Sequence, residues 1–460
     1  MRAALLASVV CAVAVNSAVA GTFVSNSNAN VVKHLDVKHT KAVQRSPAGE
    51  KACVVAAGLD NASMTREILA GLIASLATLP TSISYASICG LNPVVGVWTT
   101  VIIGSIVSII GGAPGVITGG AGVVAIPMGK VLANYGPSYM AATVLVSGLI
   151  EALFGIFRMG KVVEIVQEPV IAGFLNAFAV FLVKSQLKLF KAAGTWLPSD
   201  KMVPAVAIAA FTAALILSVP YVTTAVPSSL VALFLATVVS KLFKLPLKTL
   251  EDVGGKAAFS GGLSALPSFT GLPNVPLNLD TLKTIVPVAM GVMVISLVET
   301  LLASKITTSQ FRSKVEGYAP DDPNQTAMGL GLGTAVSGLF GGFGGCGLIP
   351  NTILCGKSGG ITRLSSFFVS VFLALFVLVL APVIAQIPMA ALAGLMFLVA
   401  YNTFEWHETQ HIAEAAPKSI KQALDLVALI ATFALCFVDM GVGVFAGVFI
   451  TFIAPILKLK

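Results

Sequence analysis

Long apolar runs alternate with short polar or charged stretches along this chain, and the pattern repeats about fourteen times. The runs are continuous rather than alternating, which favours α-helices that cross a membrane over the strands of a β-barrel. We therefore predict an all-α polytopic membrane protein with about fourteen transmembrane segments. The segments are predicted near residues 67–90, 93–111, 111–129, 139–157, 169–190, 203–219, 225–243, 285–304, 326–343, 341–360, 364–384, 389–401, 424–437 and 442–457.

The third and tenth apolar segments are interrupted by glycine and proline. Residues 111–129 read GGAPGVITGGAGVVAIPMG, and residues 341–360 read GGFGGCGLIPNTILCGKSGG. Inside a bilayer, backbone without helical hydrogen bonds is tolerated only where it is buried in protein or lines a polar cavity. The two segments occupy equivalent places in two halves of about seven segments each. This pattern predicts a 7+7 inverted repeat with a substrate site at the broken helices, the third of which should start near Gly119.

Composition agrees with a membrane protein. The chain is 56% hydrophobic and only 10% charged, whereas a soluble domain has about 25% charged residues. The formal net charge is +8, but the Lys and Arg residues are scattered through loops, so nucleic acid is not expected as a partner. The six cysteines form no CxxC pair, and we expect buried thiols rather than metal ligands.

The first 64 residues are predicted to carry targeting signals and to lie outside the folded domain. Residues 1–20 have one arginine, an apolar core and a terminal AVA sequence, which predicts a signal peptide. Residues 21–64 are polar and poor in acids, so we expect a disordered or transit-peptide-like segment. This two-part arrangement is typical of proteins sent to the plastid envelope of an alga, and an ordinary signal peptide with a disordered tail would instead fit the plasma membrane. The transporter domain is expected at residues 65–460.

Five ordered motifs carry a family resemblance. They are LPTSISYA at 79–86, GLNPVVGVW at 90–98, EP at 168–169 followed by GF at 173–174, ETLL at 299–302, and KSGGITRL at 357–364. In order and spacing they resemble the motifs of the SulP sulfate permease family, also called solute carrier family 26. The resemblance covers the membrane domain, and we expect no STAS domain, which commonly follows it in that family.

The resemblance implies an architecture and a way of working. Segments one to four and eight to eleven would form a core domain that carries the anion, and segments five to seven and twelve to fourteen would form a gate domain. The core would move in an elevator-like manner against the gate. A homodimer formed through the membrane domain is also implied.

In this family the anion lies between the N-termini of the third and tenth helices. Two such ends can hold an anion without a buried Lys or Arg, because each carries unpaired N–H groups and about half a positive charge. Tight helix packing is the other interpretation of the same glycine pattern. The substrate-binding residues implied here are Thr81, Tyr85, Gly120, Ala121, Gly122, Gly347, Pro350 and Asn351.

Charge within the membrane provides two further clues. Many animal members have Arg where Asn351 stands, and its absence suits a carrier that binds a cation together with the anion. Glu299 lies in mid-span, where a carboxylate costs about 2.5 to 3.5 kcal/mol or more. We predict that Glu299, Thr300 and Cys346 couple transport to Na⁺ or H⁺; a protonated glutamate without an ion is the alternative. The role of Glu151 in the fourth segment stays open.

Together these features predict a transporter of bicarbonate or sulfate, not an enzyme, with no cofactor and no metal site. A passive chloride or anion channel and an anion exchanger are alternatives. A nucleobase carrier of the same fold would have a carboxylate where Pro350 and Asn351 stand. Residues 407–411 read HETQH, which satisfies the HExxH pattern of zinc proteases, but we expect an amphipathic connector because the segment is a short linker without further ligands.

Overall fold

The computed structural model describes residues 61–160, 166–192, 195–222, 226–259, 261–276, 278–311, 321–416, 419–438 and 440–456. The predicted signal peptide lies outside the described residues, as does the predicted transit-like segment up to residue 60. Residues 61–64, which the sequence pattern assigns to that segment, lie in the first helix.

Fourteen helices of the described residues correspond in order to the predicted segments. They are α1 (Asn61–Cys89), α2 (Pro93–Ile110), α3 (Gly122–Tyr135), α4 (Pro137–Ile156), α5 (Glu168–Leu187), α6 (Ser199–Val222), α7 (Ser228–Leu242), α8 (Leu279–Gln310), α9 (Pro323–Leu339), α10 (Ile349–Lys357), α11 (Arg363–Ile384), α12 (Met389–Thr403), α13 (Ile420–Cys436) and α14 (Met440–Ile456). Leu250–Gly254 and Trp406–Ala415 form short connecting helices. Within the described ranges, 8 helices are long and apolar enough to cross a membrane by themselves.

Polar side chains fix where many of these helices begin. The side chains of Asn92, Asn278, Asp322, Thr362 and Ser419 accept hydrogen bonds from the first turns of α2, α8, α9, α11 and α13. Such caps satisfy N–H groups that have no partner inside the helix. These five helices therefore begin at polar residues that interrupt the apolar pattern.

Both broken segments contain a short strand before their helix. Strand β1 (Thr118–Gly120) precedes α3, and strand β4 (Gly345–Gly347) precedes α10. The predicted start of the third helix near Gly119 is therefore wrong, because Gly119 is extended and paired with the other strand. Elsewhere in the described residues, β2 (Lys191–Ala192) and β3 (Thr195–Trp196) form a small hairpin after α5.

The two halves of the chain pack in equivalent ways. Helix α1 packs on α11 as α4 packs on α8, and α2 packs on α11 as α9 packs on α4. The same correspondence relates the α5–α13 contact to the α12–α6 contact. These matched contacts are those of an inverted repeat with a core domain, α1–α4 and α8–α11, and a gate domain, α5–α7 and α12–α14.

Helices α4 and α9 are in close backbone contact within the core domain. A Cβ atom on Gly148 would lie 2.4 Å from the Ala335 nitrogen, and one on Gly331 would lie 2.2 Å from the Ala152 nitrogen. Only glycine permits this backbone contact, as in other membrane helix pairs.

The KSGGITRL motif joins the start of α11 to both α1 and the first broken segment. The buried Glu67 carboxylate accepts hydrogen bonds from the Ile361 and Thr362 nitrogens at 3.0 and 3.2 Å. Arg363 Nε donates to the Gly112 carbonyl oxygen at 2.9 Å. A carboxylate at a helix N-terminus is favourable, so this motif holds the core domain together rather than contacting substrate.

Candidate functional site

The two broken segments meet in an antiparallel strand pair at the centre of the core domain. Thr118 pairs with Gly347, Gly119 with Cys346, and Gly120 with Gly345. This pairing satisfies backbone groups that have no helical partner, as burial in a membrane protein requires. It also places the starts of α3 and α10 side by side.

Hydrogen bonds beyond the strands strengthen this junction. The Leu348 nitrogen donates to the Ile117 carbonyl oxygen at 2.7 Å. The Ile117 nitrogen in turn donates to Thr352 Oγ1 on α10 at 3.0 Å. Each broken segment therefore supplies partners for the backbone of the other.

The N-cap residues of α3 and α10 are buried, and neither helix has a side-chain cap. Their N-cap residues are Ala121 and Leu348, which are 2% and 6% exposed. An apolar side chain cannot accept hydrogen bonds from the first N–H groups of a helix. Buried helix ends without caps need another partner, and an anion is the ligand such ends favour.

Tyr85 and Phe178 cover the first residue of α3. An ideal Cβ on Gly122 would lie 2.7 Å from Tyr85 Cε1 and 2.8 Å from Phe178 Cζ. Both rings are buried, and they come from α1 of the core and α5 of the gate. Glycine at this position leaves room for both aromatic rings against the helix end.

The other predicted substrate residues on α1 and α10 lie near this junction with different exposure. Thr81 is partly buried, and its hydroxyl donates to the Thr78 carbonyl oxygen at 2.9 Å. Asn351 is 7% exposed and makes no side-chain hydrogen bond to the described residues, whereas Pro350 is exposed. Helix α10 packs against α1 and α8, so these residues border the space between the three helices.

Gly120 and Gly347 have backbone N–H groups that are already bonded within the protein. The Gly120 nitrogen donates to Thr100 Oγ1 at 3.1 Å, and the Gly347 nitrogen donates to Thr300 Oγ1 at 2.8 Å. A Cβ on Gly347 would lie 2.9 Å from the Thr300 Cα atom. The structure thus places both glycines in the framework behind the helix ends, and close strand packing accounts for them.

Glu299 lies on α8 with its carboxyl directed towards β4. Its Oε2 accepts a hydrogen bond from the Cys346 thiol at 2.8 Å. Thr300, the next residue, accepts from Gly347 and donates to the Ser296 carbonyl oxygen at 2.7 Å. The three predicted coupling residues are therefore close together, but the Thr300 hydroxyl already accepts a hydrogen bond from β4 and donates one within α8.

A small cavity connects Glu299 to the boundary between core and gate. Its volume is about 20 Å³, and Glu299 is its one ionisable wall residue within the described structure. The core contributes α8, and the gate contributes α5 and α14 through apolar side chains such as Phe174 and Val444. This volume accommodates one water molecule or a small ion.

A larger cavity of about 320 Å³ adjoins the small one. The two share the wall residues Val166, Ile171, Val298 and Leu302. The larger cavity is also lined by polar residues at the end of α8, including Lys305. The larger cavity thus lies between the polar end of α8 and the Glu299 cavity, and the walls that the two cavities share are apolar.

Sequence reasoning missed three side chains at this site. Phe174 was noted only as part of a motif, and Phe178 follows it one helical turn later on the same face of α5. Ser296 precedes Glu299 by one turn on α8, and its hydroxyl donates to the Gly345 carbonyl oxygen at 2.7 Å. The i, i+3 and i+4 spacing of Ser296, Glu299 and Thr300 was the signal available in the sequence.

The HETQH segment lies in the connecting helix Trp406–Ala415, where both histidines are exposed. Across the part of the chain that the structure describes, no group of three or more His, Cys, Asp or Glu side chains could hold a metal ion. The helix is held instead by Asn176 of α5, whose amide nitrogen donates to Thr409 Oγ1 at 2.7 Å.

Several known proteins are similar to this chain in sequence and in fold. The putative sulfate transporter YbaR of Bacillus subtilis is 32% identical over 402 residues, which cover 86% of this chain and 79% of YbaR. The bicarbonate transporter BicA of Picosynechococcus is 28% identical, with 86% of this chain and 70% of BicA covered. The solved transmembrane domain of a cyanobacterial BicA superposes with a TM-score of 0.68 at 25% identity, covering 85% of this chain and 98% of that domain.

The family comparison agrees with the geometry of the broken helices. Residues 64–423 match the sequence model of the Sulfate permease family. The matched relatives are transporters of sulfate or bicarbonate, not enzymes. The chain is therefore an integral membrane anion transporter that belongs to the sulfate permease family.

Proposed function

We propose that this protein is a secondary active transporter that moves bicarbonate or sulfate, coupled to Na⁺ or H⁺, by an elevator-like motion of its core domain. The observation that carries the proposal is the meeting of two buried, uncapped helix N-termini at Ala121 and Leu348. These ends, with Tyr85, Gly122, Pro350 and Asn351 around them, form the proposed anion site.

Charge balance at this site favours a monovalent anion. Each helix end contributes about half a positive charge, so two ends match about one negative charge. Asn351 adds hydrogen-bonding groups but no fixed charge. Bicarbonate is thus the substrate we favour, and sulfate would need an additional cation or proton beside it.

Glu299 supplies a physical basis for such coupling. An ionised carboxylate beside the anion site would repel the substrate, and a bound Na⁺ or H⁺ would remove that repulsion. The small cavity next to Glu299 has room for one ion or one water molecule. Cys346 and Thr300 would hold the carboxylate and β4 in place while the cation binds.

The boundary between core and gate supports an elevator-like motion. The hydrogen bonds around β1 and β4 stay inside the core domain. The gate faces this region mainly with apolar side chains of α5 and α14. An apolar boundary can slide without breaking hydrogen bonds, so the core could carry the anion past a static gate.

The proposal also includes a location in the cell and an oligomeric state. The targeting signals expected in the first 64 residues support the plastid envelope of an alga, where inorganic carbon or sulfate is delivered, and the plasma membrane is the alternative. A homodimer formed through the membrane domain is proposed on the family resemblance alone.

The decisive experiment is uptake of labelled bicarbonate and labelled sulfate into proteoliposomes, with and without a Na⁺ gradient or a pH gradient. Bicarbonate accumulation driven by either gradient would support the proposal, with protein-free liposomes as the control. Anion flux that only dissipates its own gradient would instead identify a channel. Obligatory exchange with an internal anion would identify an exchanger.

A further inference from the structure

A second buried carboxyl lies in the core domain away from both cavities. Glu151 of α4 is 0% exposed, and neither of its carboxyl oxygens has a hydrogen-bond partner among the described residues. The hydroxyl oxygens of Ser147 and Thr334 are also buried there without partners in the same part of the chain. Unpartnered polar atoms are rare in protein interiors, so this cluster needs an explanation.

The cluster is enclosed by three helices behind the anion site. Ser147 precedes Glu151 by one helical turn on α4, and Ser296 on α8 and Thr334 on α9 are neighbouring hydroxyl side chains, although neither makes a hydrogen bond to the carboxyl in this structure. The backbone contact between α4 and α9 at Gly148 closes the region on one side. An ionised carboxylate in such a dry location would be costly.

The hydrogen bonding of Ser296 indicates whether Glu151 is protonated or ionised. Its hydroxyl has one hydrogen, and it donates that hydrogen to the Gly345 carbonyl oxygen at 2.7 Å. A carbonyl oxygen cannot donate, so Ser296 Oγ can only accept a second hydrogen bond. An ionised Glu151 can also only accept hydrogen bonds. Its oxygen and Ser296 Oγ would then face each other with no hydrogen atom between them. A protonated Glu151 can donate to Ser296 and accept from Thr334 or Ser147.

We propose that Glu151 is a second proton-binding site of the core domain, which retains its proton and uses it to position β4. The hydrogen bonds would run from Glu151 to Ser296 Oγ and from Ser296 to the Gly345 carbonyl, at the strand pair that joins the two broken helices. Glu151 is a positioning residue in this proposal. Its proton is held throughout transport, whereas any coupled ion would bind at Glu299.

No titratable side chain of the described residues makes a hydrogen bond to the Glu151 carboxyl. Helices α3, α8 and α9 pack against α4, and α9 has no titratable side chain between Pro323 and Leu339. Helix α3 carries Lys130 and Tyr135, and α8 carries Asp280, Lys283, Glu299 and Lys305. The Cys346 thiol of β4 is a further titratable group in this part of the core. Beyond that thiol lies Glu299, to which the thiol donates.

Infrared spectroscopy of the full chain in lipid bilayers tests the protonation directly. We expect a carbonyl stretching band from a protonated carboxyl that persists across neutral and mildly alkaline pH and disappears in Glu151→Gln. Glu299→Gln is the matched control and should leave this band in place. Absence of the band, or its loss on adding Na⁺, would overturn the proposal, and the Na⁺ effect would identify Glu151 as a cation ligand instead.

Transport assays test the positioning role and depend on the proposed anion site. Glu151→Gln keeps a hydrogen-bond donor and should retain the anion KM within about twofold, whereas Glu151→Met should raise it by about tenfold, as expected for the loss of a buried hydrogen bond. An equal rise in KM in Glu151→Gln and Glu151→Met, or no rise in Glu151→Met, would contradict the positioning role of Glu151. If the Met variant does not fold, Glu151→Ala provides the same comparison, because it also removes the donor and leaves the hydrogen bond from Ser296 to the Gly345 carbonyl oxygen intact. The infrared result stands whatever the substrate proves to be.

Discussion

Cys346 Sγ donates a hydrogen bond of 2.8 Å to Glu299 Oε2, and this contact joins the second broken segment to the neighbouring helix α8. The two residues lie 47 positions apart in sequence, yet the pairing of β4 with β1 fixes one of them in space. Any movement of the strand on anion binding is therefore transmitted to the carboxyl that we propose binds the coupled cation.

Replacing Glu299 should abolish the coupling of anion uptake to a cation while the protein still folds. We expect Glu299→Gln to remove the dependence of anion uptake on Na⁺ or pH, because the amide cannot bind a cation by charge or exchange a proton. Uptake in proteoliposomes with and without each gradient measures this effect. Glu251→Gln, in a connecting helix outside the site, is the matched control. Unchanged gradient dependence in Glu299→Gln would remove this residue from the coupling site.

Cys346 should influence the affinity of the coupled ion through its hydrogen bond. Cys346→Ser keeps a donor, and we expect coupled uptake to persist. Cys346→Ala removes the donor and should change the half-saturating Na⁺ or H⁺ concentration by about tenfold, the effect of a hydrogen bond to a charged group. Ion titrations of uptake for both variants measure it. Identical titrations for Ala and wild type would show that the thiol does not act on Glu299.

A side chain on Gly122 should block the anion site. The methyl group of Gly122→Ala would lie 2.7 Å from the Tyr85 ring and 2.8 Å from Phe178, so the rings must move into the space before α3. We expect at least a tenfold loss of anion affinity by isothermal titration, with the melting temperature checked in parallel. Shortening the neighbour in Gly122→Ala/Phe178→Leu should restore part of the loss. Full affinity in the single variant would place the anion elsewhere.

The hydrogen bond between Gly347 and Thr300 should contribute to stability. Thr300→Val keeps the shape of the side chain but leaves the Gly347 N–H buried without an acceptor, which costs about 1 to 3 kcal/mol. We expect a lower melting temperature in detergent, and Thr300→Ser should remain close to wild type because it keeps the hydroxyl. A melting temperature for the Val variant equal to that of Ser would mean that the strand relaxes to find another partner.

Much of this architecture was readable from the sequence because membrane burial forces a simple pattern. The span helices follow continuous apolar runs, and caps such as Asn92 and Thr362 mark where two of them begin. The broken segments were also visible, because glycine and proline in an apolar run signal backbone that needs other partners. Both features depend on residues close together in the chain.

The remaining features depend on residues far apart in the chain. Strand β1 has three residues, too few for an alternating pattern, so its pairing with β4 left no local signal. The aromatic wall at Phe178 and the contact of Glu67 with Ile361 also depend on how distant helices pack. Gly347 looked like a ligand position, but its role in the strand pair follows from Thr300, which only the fold brings beside it.

The crossed hydrogen bonds between the broken segments have a consequence for biogenesis. Ile117 and Thr352, which bond directly, are separated by 235 residues, so the ribosome completes the first half long before its partner strand exists. During that interval the extended backbone around Thr118 has no permanent partner inside the bilayer. The first repeat alone should therefore be a substrate for membrane chaperones and quality-control proteases, and assembly should be complete only after the second strand has been inserted.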